Sequence, residues 1–170
     1  VSDKWQRLGG NFYATYNPIK DLTLKTSISG NLSINRYNRY DAPNTRRGEL
    51  AGVPYGYGYY STQNNRDFLI ENTATYNKKF VDGKLNINVV AGQSFQNWQY
   101  EDSFVQGENF PSSNLQWLVS AATINQGRSY MSEMALASFF GRVQFNWDNK
   151  YNLMLSTRYD GSSKFTEENR

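Results

Sequence analysis

Between residues 22 and 35 the chain alternates cleanly. Leu22, Leu24, Ile28, Leu32 and Ile34 share one phase, interrupted by Thr26 and Gly30, and the other phase holds Thr23, Lys25, Ser27, Ser29, Asn31, Ser33 and Asn35. Successive strand residues point to opposite sides, so this pattern predicts a strand with one apolar and one polar face. A partner strand over about 6–17 carries Leu8, Phe12, Ala14 and Tyr16 in phase, and Asn17-Pro18-Ile19-Lys20-Asp21 supplies turn residues between the two. A second hairpin follows the same plan: a strand over about 66–79, a turn at Phe80-Val81-Asp82-Gly83, and a strand from Lys84 to about Tyr100 led by Leu85, Ile87, Val89 and Ala91. In a third, Phe139, Val143, Phe145 and Trp147 alternate up to Asp148-Asn149-Lys150, and Tyr151, Leu153, Leu155 and Tyr159 alternate away from it.

The segments near 38–65 and 101–130 are long, polar and without apolar alternation, so they are expected to be loops. Short turns alternating with long loops are the asymmetry of transmembrane barrels, whose tight turns are periplasmic and whose long loops are extracellular. Aromatic residues gather beside the short turns, at Phe12 and Tyr16, Tyr76 and Phe80, and Phe145, Trp147 and Tyr151, where such a barrel carries an interfacial girdle. The expected fold class is therefore all-β, an antiparallel up-and-down transmembrane β-barrel segment of six strands. Membrane barrels close with about eight strands at the least. With the pattern under way at Gln6 and an unreturned stretch at Asn169-Arg170, the expectation is an internal segment of a larger wall.

Composition agrees with dispersed rather than clustered apolar residues. Aromatics make up 16% of the 170 residues, with 13 Tyr, yet the mean hydropathy is −0.74. The net charge of +3 comes from scattered Lys and Arg, so no nucleic-acid partner is expected. No run of about 18 apolar residues exists, which excludes a membrane helix but not a membrane strand of about 9–11 residues. The opening Val1-Ser2-Asp3-Lys4-Trp5 lacks the basic and apolar regions of a signal peptide, which suits a mature chain or an internal piece.

Without His or Cys, no Ser-His-Asp triad, Cys-His pair or usual zinc site can be assembled. No enzymatic activity, cofactor or metal is expected. Glu101-Asp102 and Glu167-Glu168 read as solvated loop charges, because nothing apolar surrounds either pair to raise one pKa. Asp160-Gly161-Ser162-Ser163 lacks the Lys-Ser/Thr ending and following helix of a phosphate loop. The aromatic loops carry more. Tyr55, Tyr57, Tyr59 and Tyr60 crowd one Gly-interleaved stretch, and Trp98, Tyr100, Phe104, Phe110 and Trp117 bracket the other. Flat rings with polar edges suit sugar faces or peptide side chains, so Tyr55, Tyr57, Tyr59, Tyr60, Trp98 and Trp117 are the candidate substrate contacts. The alternative is that these rings pack the loops together or against a partner protein. On the polar phase, Asn86, Asn88, Arg142, Gln144, Asn146, Asn152, Arg158 and Asp160 would line a wet lumen or hold a plug.

Residues 138–170 also resemble a known family. Phe140-Gly141-Arg142-Val143, Asp148-Asn149-Lys150-Tyr151 and Arg158-Tyr159-Asp160-Gly161-Ser162-Ser163-Lys164-Phe165, with Asn169-Arg170 behind, are similar to the SusC/RagA-like TonB-dependent transporters of the Gram-negative outer membrane. Tyr159 and Thr166-Glu167-Glu168 depart from the family's usual pattern. The resemblance implies that residues 1–170 are part of a TonB-dependent receptor barrel domain, in a 22-stranded barrel with an internal plug. It also implies outer-membrane lipid around the barrel, energising by the TonB complex through parts not in this chain, a SusD-like surface lipoprotein as lid, and oligosaccharides or peptides as substrates, in a Bacteroidetes-type outer membrane. Two other readings stand beside it: a soluble β-sandwich of the carbohydrate-binding kind, which would bury the apolar face against a second sheet, and a passive porin or adhesin barrel.

Overall fold

The computed structural model describes residues 1–46 and 56–164. Six strands follow one another: β1 (Ser2–Ile19), β2 (Leu22–Asp41), β3 (Tyr57–Phe80), β4 (Leu85–Glu108), β5 (Thr123–Trp147) and β6 (Tyr151–Ser162), with a short 3₁₀ helix, Leu118–Ser120, before β5. They form one antiparallel sheet in the order β1-β2-β3-β4-β5-β6. Every strand is thus hydrogen-bonded to its neighbours in sequence, the arrangement that consecutive hairpins produce.

The three short turns lie where the turn residues are, but about half of the residues expected in loops are strand. Residues 38–65 and 101–130 contain the ends of β2 and β4 and the beginnings of β3 and β5, leaving 42–56 and 109–122 as the connections. Loss of apolar alternation does not end a ladder, because backbone pairing needs no apolar side chain. Polar cross-strand pairs take over: Asn64 donates to Glu101 at 3.3 Å, Arg66 donates to Gln99 at 3.3 Å, and Arg66 and Glu101 form a 3.9 Å ion pair.

By contact the chain divides into two compact units, residues 1–8, 32–66 and 99–133 in one and 9–31, 67–98 and 134–170 in the other. The second unit contains the short turns and the clean alternation as far as Asn31. In its β5–β6 pair Phe139 faces Tyr159, Val143 faces Leu155, Phe145 faces Leu153 and Trp147 faces Tyr151, whereas Ser138 faces Asp160, Arg142 faces Ser156 and Asn146 faces Asn152. One face is apolar and the other polar. No second sheet covers the apolar face among the described residues, and Phe12, Ile28, Phe139 and Leu155 are all exposed. A sandwich would bury them, and the described residues form no second sheet that does so. The single fully buried large apolar side chain among the described residues is Phe110, in the first unit, at 2% exposure.

Two of the tight turns need left-handed backbone. At 148–149, Asp148 and Asn149 take φ of 50° and 54°, and the Lys150 N–H closes the turn on the Trp147 carbonyl at 2.9 Å. Asp and Asn tolerate this region best after glycine. The other turn places Val81 at φ 53°, where a β-branched side chain crowds the backbone. Val81→Asn is expected to stabilise the complete protein by about 1 kcal/mol, read as a raised denaturant midpoint with unchanged slope. Gly92 meets a different demand, since a Cβ there would lie 2.9 Å from the Asn72 carbonyl and against the Phe140 ring.

Candidate functional site

Within the first unit the polar phase of β2 continues into Tyr37, Arg39 and Asp41. Side-chain contacts set beside it Tyr57 and Tyr59 of β3, Asp102 and Phe104 of β4, and Arg128 of β5. Period-two alternation keeps each of these sets on one side of its strand. The rings and guanidinium groups form a continuous ladder. Tyr37 meets Tyr59 edge-on at 5.9 Å and 65°, and Tyr59 stacks on Phe104 at 5.7 Å and 19°. Arg39 lies over Tyr57 at 5.8 Å and over Tyr59 at 5.9 Å, and Arg128 lies over Phe104 at 5.4 Å.

Each arginine is also neutralised. Arg39 Nε pairs with Asp41 at 2.9 Å, and Arg128 pairs with Asp102 at 3.5 Å. The guanidinium groups are therefore held as flat polar plates beside the rings, with little net charge in the patch. Burial pushes the Tyr57 phenol above its ordinary value, against the opposing pull of Arg39, so at neutral pH it remains a hydrogen-bond donor. Tyr100 and Tyr130 add a tilted pair at 6.4 Å.

Of the residues singled out from sequence, Tyr57 and Tyr59 belong to the ladder, on strand rather than loop. Tyr60 occupies the opposite phase, and its hydroxyl accepts a hydrogen bond from Thr62 at 3.2 Å. Trp98 stands on β4 in the second unit and is not part of the cluster. Trp117 precedes the 3₁₀ helix and is 67% exposed. Tyr55 lies outside the described residues. Phe110 is a packing residue: its ring meets Tyr40 edge-on at 5.0 Å and fills the space that a side chain at Gly58 would need. Tyr37, Arg39 and Arg128 were not singled out from sequence, although the spacing of Tyr37 with Arg39, Tyr57 with Tyr59 and Asp102 with Phe104 is the signal that could have found them.

In the second unit the polar face is knit by side-chain bonds. Arg158 donates to Asp160 at 2.7 Å and to the buried Ser138 at 3.0 Å, and Asn146 donates to Asn152 at 2.7 Å. Among the described residues no group of His, Cys, Asp or Glu could hold a metal ion.

No protein-family model matches the chain. TonB-dependent receptor P3 of Formosa agariphila is 32% identical over 162 residues, which are 94% of this chain and 16% of that protein. The chain belongs to the SusC/RagA-like TonB-dependent transporters. TonB-dependent receptor SusC of Bacteroides thetaiotaomicron is 24% identical over 157 residues, 89% of this chain and 14% of that protein. The SusC/RagA-like pattern read at 138–170 thus extends along nearly all of the chain. The fold agrees: the structure of the RagAB peptide transporter superposes with a TM-score of 0.90 at 23% identity, over 99% of this chain and 19% of that one. The six-stranded sheet matches that transporter's barrel wall. This chain spans only 16% and 14% of the lengths of the P3 and SusC relatives.

Proposed function

We propose that residues 1–170 are part of the barrel domain of an active nutrient importer in a Gram-negative, Bacteroidetes-type outer membrane. The apolar face meets lipid, the polar face lines the lumen, and the connections 42–56 and 109–122 lie outside the cell. TonB energises the complete protein through parts beyond this chain, and a SusD-like surface lipoprotein closes over it. The relatives named TonB-dependent receptor and SusC support this setting.

The observation that carries the reading is the ladder from Tyr37 to Arg128, built on the polar phase of β2 in the first unit. Rings, guanidinium plates and a neutral phenol offer apolar contact together with directed hydrogen bonds, which suits an uncharged oligosaccharide or a peptide. A wall that served only as a sieve would need no such platform.

The test is uptake by whole cells expressing the complete protein and its lid, offered fluorescent oligosaccharides and peptides with and without dissipation of the proton-motive force. Saturable uptake that stops when the force is dissipated is the expected result. Uptake that continues unchanged would establish a passive pore instead.

A further inference from the structure

The aromatic platform has a neighbour on β1 that the ladder does not include. Asn35, buried on the polar phase of β2 two residues before Tyr37, donates to Asp3 Oδ1 at 2.6 Å. Asp3 therefore shares the face of the ladder, and alternation puts Trp5 and Arg7 on that face with it, in the same compact unit. Arg7 lies over the Trp5 ring at 5.2 Å. The indole is still 53% exposed, so most of its surface stays open beside the guanidinium.

The charges here are arranged differently from those of the ladder. Arg39 and Arg128 are each paired with an aspartate, whereas Asp3 and Arg7 form no ion pair among the described residues. Asp3 keeps one carboxylate oxygen uncommitted, and Arg7 keeps its fork of donors. The result is a row of acceptor, indole and donor, with successive members about 7 Å apart along the strand.

We propose that Asp3, Trp5 and Arg7 form a further subsite of the platform, which takes one sugar ring of an uncharged oligosaccharide. The inference rests on the reading of the ladder as a substrate platform and narrows that reading to saccharides. An indole covers the apolar face of a pyranose. The hydroxyls at the rim of that same ring both donate and accept, so one uncharged unit satisfies the carboxylate on one side of Trp5 and the guanidinium on the other. A peptide's backbone groups stand apart from the side chain that would cover the indole, and an acidic sugar would meet Asp3 with like charge.

The experiment uses the complete transporter purified in detergent, offered neutral and acidic oligosaccharides graded in length and a library of short peptides. The unsubstituted protein should retain neutral oligosaccharides, with an affinity that rises with length. Trp5→Ala should lower the affinity for the longest of them about tenfold and flatten that rise, and Arg7→Ala should cost about fivefold. Trp5→Phe should restore most of what Trp5→Ala loses, and heat-modifiable migration on gels checks that each variant folds. Retention of peptides alone or of acidic saccharides alone would overturn the sugar subsite, and so would a rise with length that survives Trp5→Ala. Tyr59→Ala separates the two levels. If it weakens binding while Trp5→Ala does not, only the subsite is overturned; if neither weakens it, the platform reading is overturned as well.

Discussion

Ile28→Arg destabilises the complete barrel by about 2–4 kcal/mol, and Ser27→Arg, one residue away, leaves it nearly unchanged. The contrast follows from the pleat. Ile28 belongs to the apolar phase of β2 and is 39% exposed in a sheet with no second layer among the described residues, so in the proposed barrel its surroundings are hydrocarbon. A guanidinium placed there must either leave water or distort the bilayer to reach it. Ser27 belongs to the opposite phase with Lys25 and Ser29, and Ser29 accepts a hydrogen bond from Asn11 at 2.7 Å. That side already carries charge and polar contacts, so an arginine there remains wet. Equilibrium unfolding of the complete protein from lipid vesicles in urea measures both variants. Equal effects at the two positions would contradict the assignment of faces.

Tyr59→Ala should cost about 10–100-fold in substrate affinity, whereas Tyr60→Ala should cost less than about twofold. Tyr59 is the central member of the ladder, touching Tyr37, Phe104 and Arg39 at once. Its removal takes away one stacking surface and leaves the Phe104 and Arg39 plates without their spacer. The neighbouring Tyr60 has the same chemistry but lies in the other phase beside Thr62. Equilibrium binding of fluorescent oligosaccharides and peptides to the purified complete transporter gives both numbers, and gel migration confirms that the amount of folded barrel is the same. If Tyr60 proved as important as Tyr59, or if only docking of the lid protein changed, the ladder would not be a substrate platform.

Some of the fold was legible because it is local. Turn residues at 20–21, 81–84 and 148–150 act within a few positions of themselves, and the two-phase pattern of 22–35 states which side of the strand is apolar whatever its neighbours are. The full length of the strands was not legible. Beyond Asn35, and before Arg66, the chain has no apolar alternation to mark a strand, and only pairing with neighbours holds Tyr37–Asp41 and Tyr57–Asn65 extended. The candidate site was half legible for the same reason. Tyr57 and Tyr59 drew notice as a cluster in sequence, but Tyr37, Phe104 and Arg128 reach them only through registers between different strands.

The sequence by itself determined the class of element, the places where the chain turns back, and which face of each strand is apolar, since side-chain alternation and turn chemistry are properties of a few consecutive residues. Only the tertiary structure decided that Tyr59 stacks on Phe104, that Thr26 donates to Asn72, and that Gly92 makes room for Phe140. Each of these joins residues on different strands. A shift of register by one residue would send the same side chains to opposite faces, and that register is set by the sheet as a whole.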